Sequence, residues 1–450
     1  MLDKIRQLLE KQDIRYWEFR QEEVVTTSTT AWNGTIKDMS SGAKEGASLR
    51  ILCGNGWGFA HSSCPDAQKL VQQAVTLAKA MDRYGQKKDV AFTKTLKKKV
   101  ESNYTKHPNT VSLEEKRDLV LKASKLPEKI NNLRVVYTDN IKKKMYTNSE
   151  GSEIIQKLCY TYYGAEATAA VGDRMESAYK AHGALRGYEI TDGLMDTVTE
   201  ACTIARNLLS ASVPKGGTYP VIIDGTLTSV FVHEALGHAT EADNLLSNST
   251  CLAGNENKQV GSEDVTVFDD GTVPDSWGSF FYDDEGVPAH KTKIMDKGVF
   301  SSYLHSRETA ALTKNQLTGN ARAQSSAYLP LVRMSNTYIQ PGDADFDEMV
   351  AEVKNGIYLR GSKGGQVDPI TGNFQFSAQD GFSIKNGELA GYLRAVSLAG
   401  NTLAIVKNIS LVQEKYEDGF SGHCGKNDQS VPVQGNNPSI SITKATVGGS

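Results

Sequence analysis

The order of apolar and polar residues predicts an antiparallel sheet between two helices at the start of the chain. Residues 1–11 place leucine and isoleucine on one helical face, and residues 65–83 repeat this pattern over a longer helix. The strands predicted between them are 14–20, 24–30 and 47–52. Asn33-Gly34 is a typical hairpin turn. The glycine-rich C-G-N-G-W-G-F-A that follows belongs to this meander, so we interpret it as a turn and not as a dinucleotide-binding loop.

A second helix and hairpin follow a polar, lysine-rich stretch at 86–99, which we interpret as a linker. Ser112 is a suitable N-cap for a helix at 113–126, and a strand is predicted near 133–138. A long hairpin turns at 148–151, and its predicted arms are 141–147 and 152–168.

The pattern changes again after an amphipathic helix at 192–212 and the short V-P-K-G-G at 213–217. One strand at 219–223 precedes an apolar helix that carries two histidines, and glycine-punctuated strands follow. Two segments, 293–304 and 383–393, each indicate a strand, a tight turn and a strand ending in Tyr-Leu. This repetition favours a domain of antiparallel strands.

We therefore predict an α+β protein of three parts. Residues 1–95 form an N-terminal antiparallel sheet with flanking helices, and 96–215 form a middle α+β segment that packs with it. Residues 216–450 form a β-rich C-terminal domain that carries the histidine helix. A chain of 450 residues is long enough for two or three such cores.

The charge balance gives the protein no electrostatic reason to bind nucleic acid. Fifty Lys and Arg residues against 53 Asp and Glu residues leave a net charge of −3. The lysine clusters at 97–99 and 142–144 are local exceptions, which we interpret as solvated faces or hairpin edges.

The cysteines and the N-terminus favour a cytoplasmic protein. Six cysteines are scattered without C-x-x-C spacing, so neither a disulfide framework nor a zinc ribbon is indicated. The first helix lacks the apolar core of a signal peptide, and the chain has no apolar run of about 18 residues that would span a membrane.

The most informative chemistry lies at residues 233–243, H-E-A-L-G-H-A-T-E-A-D. Imidazoles bind transition metals, and an adjacent carboxylate can take a proton from water. In the H-E-x-x-H pattern of zinc proteases the histidines are four apart, whereas His233 and His238 are five apart. At about 100° per residue, that spacing separates them by about 140° on a regular helix.

An additional residue in the helical turn would bring both histidines to one face. Such a π-bulge is frequent at functional sites, and Gly237, directly before His238, would ease the distortion. The simpler alternative is that both histidines are ordinary core or surface residues. The apolar run before them favours the metal-binding interpretation.

A catalytic zinc site typically has three protein ligands, so a third must be found. Glu241 is three residues after His238 and shares its helix face, and Asp243 is close by. The distant candidate is Cys424, in the loop S-G-H-C-G-K. Spacing alone leaves these alternatives open, with a slight preference for Glu241.

The sequence resembles the TldD/PmbA family of metallopeptidases, in its TldD branch. The resemblance extends over nearly the whole chain, and the H-E-x-x-x-H helix combined with a late C-G-K loop is its most specific part. The segments that carry it are R-I-L-C-G-N-G-W-G-F-A, T-N-S-E-G-S, H-E-A-L-G-H-A-T-E-A-D, Y-D-D-E-G-V-P and H-C-G-K-N-D-Q-S-V-P-V.

The resemblance implies one zinc ion per chain, held by His233, His238 and Cys424, with Glu234 as the catalytic residue. Zinc binds cysteine as the thiolate, which coordination makes stable at neutral pH. Glu241 then becomes a candidate to orient a histidine from outside the ligand set. No other cofactor is expected.

The expected mechanism is hydrolysis in which Glu234 takes a proton from water and returns it to the leaving amine. A further group should stabilise the tetrahedral oxyanion. Its candidates in the C-terminal half are His290, Tyr303, His305 and Tyr392.

The resemblance also implies short or unfolded peptide substrates, bound as an added strand. It implies a dimer, either of two identical chains or with a related subunit that lacks the metal motif. Two alternatives are a deformylase-like metal amidohydrolase and a non-catalytic peptide-binding or regulatory scaffold, such as a modulator of DNA gyrase. The intact Glu234 disfavours the scaffold because a structural metal site needs no base.

Overall fold

The computed structural model describes residues 1–85, 87–417 and 419–449. Within them, the chain is a mixed α+β structure with one large sheet of seven strands and another of nine. This confirms the predicted fold class. No helix among these residues is long and apolar enough to cross a membrane.

The seven-stranded sheet has the order β3-β2-β1-β5-β6-β4, and β7 pairs with β6. Its strands are β1 Tyr16–Trp32, β2 Thr35–Cys53, β3 Gly56–Ser62, β4 Lys97–Glu101, β5 Asn132–Asn148, β6 Glu153–Val171 and β7 Arg174–Ala184. The helices of this half are α1 Leu2–Leu9, α2 Ala67–Asp82, α3 Leu113–Ala123 and α4 Leu194–Leu208, with 3₁₀ turns at Pro108–Thr110 and Tyr188–Gly193.

The strands of this sheet are longer than predicted. The strands predicted at 14–20 and 24–30 are both parts of β1, and those at 133–138 and 141–147 are both parts of β5. The polar residues in the two predicted gaps, 21–23 and 139–140, stay extended because they pair across β1 and β5. Glu23 lies opposite Lys143 with their charged groups 3.1 Å apart, and the Thr26 hydroxyl donates to the Asn140 side chain at 2.7 Å.

The predicted turns are confirmed. Asn33 and Gly34 both have positive φ, 51° and 72°, as a type I′ hairpin requires. The glycine-rich segment turns from β2 into β3 and packs on α2, since a Cβ at Gly58 would lie 1.9 Å from the Ala74 carbonyl oxygen.

The linker predicted at 86–99 is only partly irregular. Gln86 lies outside the described residues, and Lys97–Glu101 forms β4, which pairs in parallel with β6 at the sheet edge. The lysines at 97–99 are exposed there, as expected for an edge strand. Because β1 pairs with both β2 and β5, the first two predicted parts share one sheet. The boundary between them stays a prediction.

The second half is built on the nine-stranded sheet, whose order is β16-β17-β20-β24-β8-β15-β18-β19, with β21 paired to β24. The strands of this half are β8 Gly217–Ile223, β9 Val267–Asp270, β10 Lys291–Asp296, β11 Val299–Phe300, β12 Ala321–Arg322, β13 Leu331–Val332, β14 Thr337–Ile339, β15 Gly356–Arg360, β16 Gly365–Val367, β17 Asn373–Ser377, β18 Asp380–Lys385, β19 Glu388–Leu393, β20 Val396–Asn401, β21 Ile409–Val412, β22 Gly422–Lys426, β23 Gln429–Val433 and β24 Ile440–Gly449. Its α-helices are α5 Gly225–Phe231, α6 Ala242–Leu246, α7 Arg307–Thr313, α8 Phe346–Val353 and α9 Thr402–Lys407.

The two similar hairpins predicted in this half are β10–β11 and β18–β19. They turn at Lys297-Gly298 and Asn386-Gly387, which all have positive φ. The first belongs to a separate four-stranded sheet, β11-β10-β9-β14, and the second to the nine-stranded sheet. The hairpins therefore share a local turn chemistry but not a place in the fold.

The interior strand β8 leads directly into the histidine helix. It lies between β24 and β15, and its residues Val221 and Ile223 are fully buried. Asp224 then caps α5, because its carboxylate accepts a hydrogen bond from the Leu227 N–H at 2.8 Å. Leu227 and Phe231 pack into the same core as β8. The histidines thus follow a rigid strand and a capped helix.

Candidate metal centre

The helix that carries the histidines is a π-helix over Val232–Gly237. Its wider turn accommodates the surplus residue, so the distortion predicted from the five-residue spacing is confirmed. The His233 and His238 rings lie 5.2 Å apart, centroid to centroid.

The reason for a glycine at position 237 differs from the one expected. Gly237 has ordinary helical angles, φ −57° and ψ −54°, which any residue adopts. A Cβ there would lie 1.9 Å from the Met334 sulfur. The backbone angles therefore do not require a glycine at position 237, whereas the close approach of Met334 does.

Cys424 is brought to the histidines by the β22–β23 hairpin. Its Sγ lies 3.5 Å from His238 Nε2, and one ligand atom from each of His233, His238 and Cys424 lies within 4.8 Å of the others. His233 Nε2 is buried and has no hydrogen-bond partner among the described residues. The three side chains thus converge, whereas Glu241 and Asp243 are not part of this group.

Glu241 contacts the other nitrogen of His238. The fully buried carboxylate lies 3.1 Å from Nδ1, which leaves Nε2 directed at Cys424. A carboxylate on the far ring nitrogen fixes both the tautomer and the orientation of a metal-binding histidine.

Lys426 connects the two segments of the site. Its ammonium donates to Glu241 at 3.0 Å and to Asp243 at 2.7 Å, and also to the Val332 carbonyl oxygen at 3.2 Å. Sequence reasoning did not identify this residue. The available signal was its place two residues after Cys424, because alternate residues of a strand share a face.

Charge neutralisation within the site favours the ionised forms of its side chains. Burial raises the pKa of the Cys424 thiol, but the positive charges of His233 and His238 outweigh it and hold that pKa well below its ordinary value. Burial lowers the pKa of His238, but Glu241 and Cys424 together raise it well above its ordinary value. Cys424 can therefore present a thiolate.

Glu234 lies beside this group and is more accessible than its neighbours. Its side chain is 28 % exposed, against 16 % for His238, and its carboxylate lies 3.8 Å from His238 Nε2. A carboxylate at this place can contact solvent water and a reacting group at the same time.

The other residues considered from the sequence lie elsewhere. His290 is exposed and binds the Pro288 carbonyl oxygen, and Tyr392 donates to Asp380. Tyr303 and His305 are buried, and burial lowers the pKa of His305 to about 4. None of the contacts described for these four residues involves the three converging side chains. His423, next to Cys424, packs against Trp277.

The fold and this donor set define a protein with a candidate metal centre. Three family models match the chain, namely PmbA/TldA metallopeptidase domain 1 over residues 17–78, the central domain over 106–209 and the C-terminal domain over 216–449. The last of these alone spans more than half of the chain and contains every residue of the centre.

Relatives of similar length support the assignment of the chain to the family of these models. A metalloprotease of Methanocaldococcus jannaschii is 38% identical over 441 residues, which cover 96% of each chain. A zinc metalloprotease TldD homologue of Saccharolobus solfataricus is 31% identical over 443 residues, covering 97% of this chain and 96% of the relative. The protein belongs to the TldD/PmbA metallopeptidase family.

Solved structures share the fold. A Thermotoga maritima protein described as a proposed modulator of a DNA gyrase superposes with a TM-score of 0.83 at 22% identity, over 99% of both chains. TldE from Thermococcus kodakarensis gives 0.77 at 18% identity, over 99% of this chain and all of the other. At these identities the likeness concerns the fold alone.

Proposed function

We propose that the protein is a zinc-dependent metallopeptidase that binds one zinc ion through His233, His238 and Cys424. The observation that carries the proposal is the convergence of these three donors within 4.8 Å of one another. The metalloprotease names of the relatives support the same class.

The donor set suits zinc. With bond lengths of about 2.1 Å to nitrogen and 2.3 Å to sulfur, tetrahedral ligand atoms lie about 3.4–3.6 Å apart. The 3.5 Å between Cys424 Sγ and His238 Nε2 meets this value. The unpartnered His233 Nε2 supplies the second nitrogen. Two imidazoles and a thiolate leave a fourth position for water or substrate.

Glu234 would act as the general base. When bound, zinc would supply Lewis-acid polarisation of a carbonyl group and increase the acidity of water. The Glu234 carboxylate would accept the proton of the attacking water and return it to the leaving amine. Its partial exposure beside His238 suits both transfers.

An exposed strand edge beside Cys424 supports a peptide substrate. The two-residue turn at Asn427-Asp428 makes Cys424 a hydrogen-bonded partner of Val431, so the backbone groups of His423 and Gly425 point away from β23. Both residues are exposed, and a Cβ at Gly425 would meet no atom within 4 Å. An extended peptide could pair there without demanding particular side chains.

Metal removal tests the proposal. Purified protein is expected to contain about one zinc per chain and to cleave an unstructured peptide at internal bonds. A chelator should abolish cleavage, and added zinc should restore it. Full activity in metal-free protein would contradict the proposal, and cleavage of an N-formyl group alone would indicate an amidohydrolase instead.

Replacing Glu241 with Gln is expected to weaken zinc binding by about 10–100-fold, the usual effect of losing a carboxylate that orients a histidine ligand. Competition with a chromophoric chelator measures this affinity. Glu263→Gln removes an equal charge from an exposed position and should leave the affinity unchanged. Wild-type affinity in the Glu241 variant would show that the 3.1 Å contact with His238 has no role in metal binding.

A further inference from the structure

The lysine run 142–144 does not form the solvated face that the sequence suggested. Lys143 alone is exposed, and it pairs with Glu23. Lys142 and Lys144 lie on the opposite face of β5. That face is turned towards the second half of the chain. There the Lys144 ammonium lies 2.6 Å from the Asp284 carboxylate.

These two lysines line a cavity of about 40 Å³ between the seven-stranded sheet and the β22–β23 hairpin. Its other polar walls include Tyr160, Arg322 and Ser430. One water molecule occupies about 10–15 Å³ of such a cavity, so a group of a few non-hydrogen atoms fits. Ser430 is exposed, and the cavity therefore opens towards solvent.

The cavity lies behind the candidate metal centre. Pro432 lines it and is paired with His423, whereas Cys424 is the next residue along β22. Val431, the cross-strand partner of Cys424, also lines the cavity, but none of His233, His238 and Cys424 does. This is a separate site and not an extension of the metal centre.

Positive charge is in excess around the cavity. The cations that line it or the adjoining smaller cavity are Arg20, Lys142, Lys144 and Arg322, and the carboxylates are Glu22, Asp283 and Asp284. Asp284 is already engaged, because it accepts the Ala323 N–H at 2.8 Å in addition to pairing with Lys144.

Two of the cations form no ion pair with a described carboxylate, although the charges of Glu22 and Asp284 act on Lys142, and those of Asp269 and Asp284 on Arg322, from farther away. Among the described residues, the Lys142 ammonium makes no hydrogen bond or ion pair, and the hydrogen bonds of the Arg322 guanidinium go to the carbonyl oxygens of Met334 and Pro432. Burial lowers the pKa of both side chains. An anion beside them would offset the cost of keeping both charged.

We propose that this cavity is a carboxylate-binding site in which Lys142 and Arg322 hold the anion. The carboxylate comes either from a free small acid or from the C-terminus of a peptide. The inference does not depend on the proposed peptidase activity, since binding alone tests it.

Binding of acetate is the direct test. At constant ionic strength, with chloride as the replaced anion, acetate should raise the melting temperature of the wild-type chain saturably. Lys142→Met should weaken acetate binding by about tenfold, the loss expected for one charge-assisted hydrogen bond. Lys143→Met removes the same charge from the exposed face of the same strand and should bind acetate like the wild type.

A pair of peptides distinguishes the two sources. In a Glu234→Gln background, which prevents cleavage, trialanine with a free C-terminus is compared with its amide. Tighter binding of the free acid than of acetate, with loss on amidation, assigns the site to peptide termini. Binding of acetate alone assigns it to small acids.

Two outcomes overturn the proposal. One is the absence of saturable acetate binding by the wild-type chain together with equal binding of the two peptides. The other is an equal effect of Lys142→Met and Lys143→Met. Titration of the wild-type chain with acetate tests the proposed site even if the Lys142 variant does not fold.

Discussion

Replacing Glu234 with Gln is expected to lower the rate of peptide cleavage by about 10²–10⁴-fold, the usual contribution of a positioned general base. Glutamine has the same size but cannot accept a proton at neutral pH. Glu234 is 28 % exposed and its nearest charged contact is His238 at 3.8 Å, so the exchange leaves no buried charge unpaired. The fold and the three converging donors should therefore be retained.

Two measurements on the same sample check this prediction, namely the cleavage rate of an unstructured peptide and the zinc content. The expected result is a large loss of rate with zinc unchanged, while Glu263→Gln keeps both. A fully active variant would remove Glu234 from the mechanism. Loss of zinc together with activity would indicate that the glutamate is a ligand.

Local signals were sufficient for much of the fold. The Asn33-Gly34 turn and the entry into the histidine helix depend on residues adjacent in sequence, and the structure has them where the pattern predicts. The helix predicted at 113–126 begins at Leu113 as expected but ends three residues early, at Ala123. The lengths of β1 and β5 were not predictable in this way. Their polar central residues look like loops until the partner strand supplies a polar or charged partner, as Lys143 does for Glu23 and Thr26 does for Asn140.

The histidine helix shows what the spacing of two residues in the sequence can predict. The five-residue spacing of His233 and His238 predicts a π-helix, because a metal-binding pair must share one face, and a π-helix is found. The contact of Glu241 with Lys426 joins residues 185 positions apart, and no periodicity relates them. The tight approach of Met334 to Gly237 is equally a property of the folded chain.

The lysine run 142–144 illustrates the same limit. Alternation predicts that Lys143 and its neighbours point to opposite faces of a strand. It does not tell which face the second half of the chain covers. That depends on how the loop around Asp284 packs on the seven-stranded sheet, which places Lys144 2.6 Å from its carboxylate.

Replacing Cys424 with Ser is expected to weaken zinc binding by more than about 100-fold, because losing a carboxylate that only supports a ligand already costs about 10–100-fold. A serine hydroxyl stays protonated at neutral pH, whereas the charges of the histidines favour the Cys424 thiolate. Equilibrium dialysis against a zinc buffer measures the affinity, and circular dichroism establishes that the variant is folded.

Cys251→Ser is the matched control, since this half-buried cysteine of the same half lies outside the converging group. It should keep the wild-type affinity. The comparison with Glu241→Gln decides which residue is the third ligand. If zinc affinity falls further in Cys424→Ser than in Glu241→Gln, the third ligand is the cysteine. If Cys424→Ser kept its zinc while Glu241→Gln lost it, the carboxylate 3.1 Å from His238 would be the ligand, and the proposed centre would be wrong in its third member.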